Sequence, residues 1–447
     1  MKKELDFLSG KILPTLLRFA FPVLLALFLQ ALYGAVDLWA VGRFASSADM
    51  SAVSTGSQIL LVLTGFITGL CMGVTVLLGQ KIGEKDKKGA ARVLGGTLWL
   101  LLLVGVLLSM LLLFFAEPFA SLCKVPTEAM EPAKTYLRIC GGGTIFIAAY
   151  NGISGVLRGM GNSKVPLYFV GIACVFNIVC DTVLIAVFHL GAAGAAIATV
   201  FSQALSVVLS MVYFYLKRNS LPICLTKSVL QFHKATILDI VKLGLPVAFS
   251  EMSNEICYLI LIGFTNTLGV TVAAGVGVAE KLILFLLLIP MAYMSSISAF
   301  VAQNIGAGEE KRATTALRQG MLTSLLLGGA ASTLLFFGGR GLSMLFNHTP
   351  AVLDASALFL KATALECLIL SVAYCFSGYF NGCGKTKFVM AQGLCSICLV
   401  KLPSAYLALR YAENKLIFIG LSNVWGALFL LLSAILYFIR LQRKKRK

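Results

Sequence analysis

Charged residues are scarce in this chain of 447 residues, where Asp, Glu, Lys and Arg make up only 13% of the sequence. Soluble domains carry roughly 25%. Hydrophobic residues reach 59% and the mean hydropathy is +0.91, so a soluble fold would have too few polar side chains to cover its surface. The composition excludes an ordinary soluble protein and indicates an all-α polytopic membrane protein.

Residues and motifs for enzyme chemistry are also missing. The three histidines, His189, His233 and His348, are scattered, so no metal centre is expected from them. Gly384-Lys-Thr386 resembles the end of a phosphate-binding P-loop, but Tyr379 stands where that motif requires glycine. No nucleophile–base pair stands out, and the loops are too short for a soluble catalytic domain. We therefore expect neither enzyme activity nor a cofactor.

What the chain does contain is an internal repeat. Ser154-Gly-Val-Leu-Arg-Gly-Met-Gly-Asn-Ser-Lys164 recurs 223 residues later as Ser377-Gly-Tyr-Phe-Asn-Gly-Cys-Gly-Lys-Thr-Lys387. The same shift carries Gln80-Lys-Ile-Gly83 onto Gln303-Asn-Ile-Gly306. Because the glycines permit tight turns, we interpret each copy of the glycine-rich stretch as an inner hairpin between the fourth and fifth spans of its repeat, rather than as a site.

Twelve apolar runs follow one another along the chain, six in each repeat. Each has about 20 residues or more, enough to cross a bilayer core of ~30 Å as a helix. An even number of spans per repeat makes the two repeats parallel, related by an axis along the membrane normal. We predict a six-helix bundle at 1–216, a cytoplasmic linker at 217–238, and a second six-helix bundle with a basic tail at 239–447.

Lysine and arginine fall mainly on one side of this topology. With the N-terminus in the cytoplasm, 26 of the 37 lie on the inner side and 8 on the outer side, which is the positive-inside pattern. Both termini are predicted to be cytoplasmic, in the plasma (inner) membrane. The net charge of +18 then needs no nucleic-acid partner, and the basic tail at 440–447 is expected to contact anionic lipid headgroups.

Acidic residues inside the predicted spans are the candidates for function, because a carboxylate near the bilayer centre costs ~2.5–3.5 kcal/mol. The first repeat holds two of them, with no basic residue nearby in sequence, and the second holds four. They are Asp37, Asp181, Glu251, Glu255, Glu280 and Glu366.

Polar residues of the first repeat fall at one depth in the outer half of the bilayer. Counted from the outer span ends at ~1.5 Å per residue, Asp37, Asp181 and Thr199 share one layer. Asn177 and Tyr33 each lie one turn from one of the acids, on the same face. Two close carboxylates in an apolar layer are expected to share a proton at neutral pH, whereas these oxygen ligands would equally suit Na⁺. The coupling ion, H⁺ or Na⁺, stays open.

Two acids of the second repeat are spaced to lie on one helix face. Glu251 and Glu255 are four residues apart in the seventh span, close to mid-membrane. We interpret them as a cation-binding face; the alternative is a hydrogen-bonded structural role.

The remaining two acids have basic residues close by in the sequence or in a later span. Glu280 is followed by Lys281, and Lys401 lies in the eleventh span. Glu280 is a candidate for substrate binding, but it and Glu366 are equally open to simple neutralisation by a lysine. The roles of Glu366 and Lys401 are not fixed by the sequence.

Several of these motifs together resemble the multidrug and toxin extrusion (MATE) family of cation-coupled drug exporters. The resemblance covers nearly the whole chain and comes from a combination of short stretches. They are Asp37–Gly42, Gly79–Gly83, Tyr136–Ile139, Gly155–Pro166, Asn177–Asp181, Gln303–Gly306 and Gly378–Lys387.

The resemblance implies two six-helix bundles around a central cavity and export of organic cations in exchange for Na⁺ or H⁺. It implies that Glu251 matches the family's functional acid in the seventh helix. The tenth helix departs from the family, because Glu366 lies about one turn from the expected acid. The residues that the resemblance places at the coupling site are Asp37, Asn177, Asp181 and Thr199, with Tyr33 beside them.

The sequence thus favours a secondary antiporter that works by alternating access, functional as a monomer, with small organic cations and the lipid bilayer as its partners. The alternative is a lipid-linked precursor flippase of a related fold, whose cavity would be rich in Arg and Lys to meet pyrophosphate. Six in-span acids against two in-span lysines favour cationic cargo. A channel or receptor fits poorly with two full repeats and paired intramembrane acids.

Overall fold

The computed structural model describes residues 6–219, 221, 223, 229 and 231–446. Within them lie twelve helices long and apolar enough to cross a membrane, which confirms the predicted all-α architecture of twelve spans. In chain order, α1 to α12 are Ile12–Phe44, Ser47–Gly83, Lys87–Leu122, Thr127–Gly159, Lys164–Val187, Gly191–Lys217, Lys234–Asn266, Val270–Gly306, Glu310–Ser343, Pro350–Gly382, Thr386–Tyr411 and Lys415–Arg446.

Two helices contain a π-helical segment. In α5 it spans Thr182–Val187 and follows Asp181 directly. In α11 it spans Ser396–Lys401 and ends on Lys401. Each segment widens the helix and rotates the residues around it relative to a regular α-helix, a feature that often marks functional sites.

A single aspartate joins the N-terminal ends of α2 and α6. Ser46 and Asp49 form a capping box at the start of α2, which satisfies amide groups that the helix leaves free. The Asp49 carboxylate also accepts a hydrogen bond from the Ala192 amide at 3.0 Å. Gly191, with φ +50°, carries the chain into α6 at this point. The depth of α6 beside α2 is therefore set by a local contact.

The glycine-rich stretches form tight hairpins, as predicted. Gly161 and Gly384 adopt φ values of +83° and +72° in the turns after α4 and α10, which side chains resist. Gly378 and Gly382 pack against the backbone of α8, where an added Cβ would lie 2.5 and 2.7 Å from main-chain oxygens. These glycines allow α10 and α8 to approach closely.

The chain divides into two compact units whose boundaries differ from those of the repeat. Unit 1 contains Leu25–Ala248, and unit 2 contains Asp6–Leu24 together with the residues from Phe249 onward. The division therefore falls inside α1 and α7, in each case two residues after a proline, Pro22 or Pro246. Proline removes a helical hydrogen bond there. The cytoplasmic linker at 217–238 stays a prediction: its Pro222 lies outside the described residues, and α7 already begins at Lys234.

An arginine of α9 holds the segment before α1 against the rest of unit 2. The Arg312 guanidinium donates to the carbonyl oxygens of Phe7, Ser9 and Gly10 at 2.9, 2.7 and 2.9 Å. The Phe7 ring is buried against Phe19 and Phe300, with centroids 5.1 and 5.0 Å away. We call residues 6–10 the N-terminal anchor.

An aspartate closes the turn at the start of the N-terminal anchor. Asp6 accepts hydrogen bonds from the Leu8 amide and the Ser9 hydroxyl at 2.8 and 2.7 Å. These bonds, that of the hydroxyl first, lower the pKa of the Asp6 carboxyl below its usual value. Because its pKa is lowered in the folded state, ionised Asp6 stabilises the fold at pH values above the ordinary pKa of the carboxyl. This stabilisation is lost as the pH falls through the lowered pKa.

Removing the guanidinium should release the N-terminal anchor. We expect Arg312→Ala to speed amide exchange of residues 7–10 at least tenfold, because three charge-assisted hydrogen bonds are lost. Hydrogen–deuterium exchange read by mass spectrometry measures this directly. Lys311→Ala, at an exposed neighbour, is the matched control and should leave the exchange unchanged. Unchanged exchange in Arg312→Ala would contradict the anchoring role.

Candidate functional site

Four polar side chains of unit 1 meet in one hydrogen-bonded cluster. The Thr199 hydroxyl donates to Asp37 Oδ2 at 3.1 Å. In the amide orientation that satisfies both acids, Asn177 Nδ2 donates to Asp37 Oδ1 at 3.0 Å and to Asp181 Oδ2 at 3.3 Å. The structure thus brings together the side chains that the depth count placed in one layer. We call these four residues the carboxylate pair site.

Helix geometry explains why these residues converge. Asn177 and Asp181 are one turn apart in α5, so both point to the same neighbour. α6 starts at Gly191 and carries small residues on its packed face, which lets Thr199 approach α1. Tyr33, one turn before Asp37, donates its hydroxyl to the Thr199 carbonyl oxygen at 3.1 Å. Tyr33 therefore holds α6 against α1 and is not itself bonded to a carboxylate.

The carboxylate pair site is buried, and no Lys, Arg or His of the described residues forms an ion pair with it. Asn177 and Asp181 are fully buried and Asp37 is only 5% exposed. Tyr136 and Cys140 of α4, both buried, lie close enough to Asp37 to interact with it electrostatically. None of the described ion pairs involves either aspartate. Two buried carboxylates without a counter-charge are costly unless they take up a proton or a cation.

One carboxylate oxygen gives a more specific indication. Asp181 Oδ1 is buried and has no hydrogen-bond partner among the described residues. Buried polar atoms are usually paired, so this oxygen fits a bound proton or a cation. The oxygens that meet at the site belong to two carboxylates and a hydroxyl, ligands of the kind that Na⁺ accepts, whereas Asn177 turns its Nδ2 toward both acids. Asp181 also borders the π-helical segment of α5, a feature that is frequent at functional sites.

Unit 2 contains a second, more open group of acids. Glu251 and Glu255 on α7 and Glu280 on α8 are partly exposed, whereas Glu366 on α10 is 7% exposed. Glu251 interacts electrostatically with Glu255, and Glu280 with Glu366. We call these four residues the acidic network. The partial exposure of three of its four acids distinguishes the acidic network from the buried carboxylate pair site.

The lysine close to the acidic network is not the sequence neighbour of Glu280. Lys281 is exposed, and its ammonium lies 6.0 Å from the centre of the Phe346 ring. Lys401 instead interacts electrostatically with both Glu280 and Glu366. Residues adjacent in a helix point about 100° apart, so the proximity of Glu280 and Lys281 in the sequence does not make them a pair.

Sequence reasoning missed two tyrosines beside the acidic network. Tyr374 of α10 interacts electrostatically with Glu251, Glu366 and Glu255, and Tyr258 of α7 interacts with Glu280 and Glu255. The available signal was helical spacing: Tyr258 follows Glu255 by three residues, and Tyr374 follows Glu366 by eight, so each shares a face with an acid.

Comparisons with known proteins agree with this arrangement of helices. A protein-family profile described as MatE matches residues 22–183 and 246–407. The probable multidrug resistance protein YpnP of Bacillus subtilis (strain 168) is 29% identical over 436 residues, 98% of this chain and 97% of that protein. A FAD transporter of Shewanella oneidensis is 25% identical over 418 residues, 91% of this chain and 90% of that protein.

A similar fold also occurs among solved structures. An outward-facing conformation of a multidrug resistance MATE family transporter of the MOP superfamily matches with a TM-score of 0.92 at 20% identity, covering 100% of both chains. This likeness extends over all twelve membrane helices.

Proposed function

The chain belongs to the MatE family, whose members are transporters and not enzymes, and on that premise we propose that it is a multidrug exporter working as a secondary antiporter. It exports organic cations in exchange for H⁺ or Na⁺ by alternating access. The observation that carries this proposal is the carboxylate pair site, where Asp37 and Asp181 share one amide donor without a counter-charge.

The coupling ion is assigned to the carboxylate pair site. The uncompensated charge of two buried aspartates favours uptake of one proton or one Na⁺. Loading Asp37 and Asp181 changes their hydrogen bonds to Asn177 and Thr199, which belong to α5 and α6. The ion thus acts on the packing of three helices at once. An ion that binds one conformation better than another shifts the population toward that conformation.

The cargo is assigned to the acidic network of unit 2. Its partly exposed carboxylates favour a positive charge, and the rings of Tyr258 and Tyr374 suit a flat, lipophilic cation. An anionic cargo would meet four acids there. This charge balance argues against a lipid-linked pyrophosphate and against a flavin dinucleotide such as the cargo named for the Shewanella relative.

The energetics suit exchange of one ion for another. Export of one monovalent cation against an inside-negative potential of ~100 mV costs ~2.3 kcal/mol. Entry of one H⁺ or Na⁺ offsets this cost electrically, and the ion's concentration gradient supplies the net drive. We place the protein in the plasma (inner) membrane with both termini in the cytoplasm, on the strength of the positive-inside distribution, and we propose that a monomer suffices.

The test is ethidium efflux from proteoliposomes with a Na⁺ gradient or a pH gradient imposed separately. Efflux that is accelerated by one gradient and not by an equal gradient of KCl supports the proposal and identifies the ion. Efflux that ignores both gradients, or that is ohmic and does not saturate with ethidium, contradicts an antiporter.

A further inference from the structure

Lys401 is a positive charge within a membrane-spanning segment, at the end of the π-helical segment of α11. Its ammonium is close enough to Glu280 and Glu366 to interact electrostatically. It forms none of the described ion pairs, which extend to 4.0 Å. Lys401 therefore faces the acidic network without being committed to one acid of it.

The stem of Lys401 is held by close packing. An added Cβ on Gly426 of α12 would lie 3.4 Å from Lys401 Cβ and 3.6 Å from Lys401 Cδ, so the lysine crosses α12 where no side chain stands in its way. Ser396, at the start of the same π-helical segment, donates its hydroxyl to the Gly426 carbonyl oxygen at 2.8 Å. This contact fixes the segment that orients Lys401.

Two buried polar side chains stand on the helices around Lys401. Glu366 is 7% exposed and interacts electrostatically with Lys401. Asn423, one turn before Gly426 on the same face of α12, is 5% exposed, and its Oδ1 has no hydrogen-bond partner among the residues that the structure describes. Buried polar atoms without partners favour a positively charged or proton-donating occupant. Both the lysine ammonium and a cationic cargo meet that description.

Besides the thiols of Cys257 and Cys367, charged groups and tyrosines of four helices face this region. Four carboxylates and two phenols stand against one ammonium. They are Glu251, Glu255 and Tyr258 of α7, Glu280 of α8, Glu366 and Tyr374 of α10, and Lys401 of α11.

We propose that Lys401 is a specificity-determining residue that limits the positive charge of the cargo. Its ammonium cancels part of the negative charge at Glu280 and Glu366, so the acidic network accepts a monocation more readily than a dication. This inference deepens the proposed function and rests on its assignment of organic cations to unit 2. Lys401 acts on the cargo through its charge, whereas the rings of Tyr258 and Tyr374 provide the complementary shape.

The experiment compares ethidium, a monocation, with propidium, a dication that carries the same ring system. Equilibrium binding of each dye to the purified full-length protein is measured by fluorescence at pH 8. We expect Lys401→Met to shift the ratio of the two dissociation constants toward propidium by about tenfold, because removing a unit charge ~10 Å away acts twice as strongly on a dication. Lys401→Arg should keep the wild-type ratio.

Lys281→Met is the matched control, since it removes a lysine that is also in a membrane span of unit 2 but faces Phe346. If the ratio of the ethidium and propidium dissociation constants is the same in Lys401→Met and Lys281→Met, the inference is overturned. The proposal that unit 2 binds cations would not be affected by that result. Failure of the wild type to bind either dye would contradict the proposed cargo class itself, and with it this inference. If Lys401→Met does not fold, Lys401→Gln carries the same prediction with a polar side chain.

Discussion

Asp37→Asn is expected to reduce ion-coupled efflux of ethidium at least tenfold without lowering the amount of folded protein. The amide has the shape of the carboxylate: its oxygen can accept from Asn177 Nδ2, which lies 3.0 Å from Asp37 Oδ1, and its nitrogen can donate to the Thr199 hydroxyl, which lies 3.1 Å from Asp37 Oδ2. The substitution removes one of the two charges that favour loading of the carboxylate pair site. Asp181 then remains as a single buried acid, and the ion that drives the exchange loses half of its site.

Efflux is measured in membrane vesicles with equal amounts of protein, under the gradient that drives the wild type. Asp354→Asn is the control, because Asp354 is an exposed acid paired with Arg340 at 3.0 Å and lies outside both acidic groups. Its efflux should match the wild type. Wild-type coupled efflux in Asp37→Asn would show that the carboxylate pair site is structural, since the hydrogen bonds alone would then be sufficient.

Gly73→Ala is expected to lower the melting temperature by about 5 °C or more and to reduce the yield of folded protein, because of overpacking. Gly73 of α2 packs against α7 inside unit 1. An added Cβ would lie 2.5 Å from the Gly244 nitrogen and 2.6 Å from the Ile240 oxygen. These are backbone atoms that cannot rotate away, so the two helices must separate and lose contacts along their length.

Thermal unfolding of the detergent-solubilised protein, followed by fluorescence-detected size exclusion, measures the effect of Gly73→Ala. Gly142→Ala is the matched control: it lies in the middle of α4, and an added Cβ would meet nothing within 4 Å. Alanine has the higher helix propensity, so Gly142→Ala should melt at or slightly above the wild-type temperature. Equal melting temperatures for the two variants would contradict the close crossing of α2 and α7.

Depth in the membrane could be predicted from the sequence, because a helix converts residue number into height at a fixed rise. That is why Asp37, Asp181 and Thr199 were expected in one layer, and why the structure finds them in contact or bridged by Asn177. The short hairpins were equally predictable, since Gly161 and similar glycines fall directly between apolar runs.

The direction in which each side chain points around its helix axis could not be predicted as well as its depth. Glu280 and Lys281 are adjacent, yet Lys281 lies near Phe346 while Lys401 approaches Glu280 from α11. That approach depends on a π-helical segment, which has no sequence signal strong enough to locate it. The unit boundaries inside α1 and α7 were likewise hidden, because the apolar pattern continues through Ala248 without interruption.

The most direct measurement of the central claim is reciprocal flux. Proteoliposomes receive an ethidium gradient and no ion gradient, and proton movement is followed with a trapped pH dye while Na⁺ movement is followed with ²²Na⁺. The account predicts that ethidium moving one way drives H⁺ or Na⁺ the other way, and that Asp37→Asn abolishes this counterflow. Ethidium movement with no opposing flux of either ion, or counterflow that persists in Asp37→Asn, would contradict it.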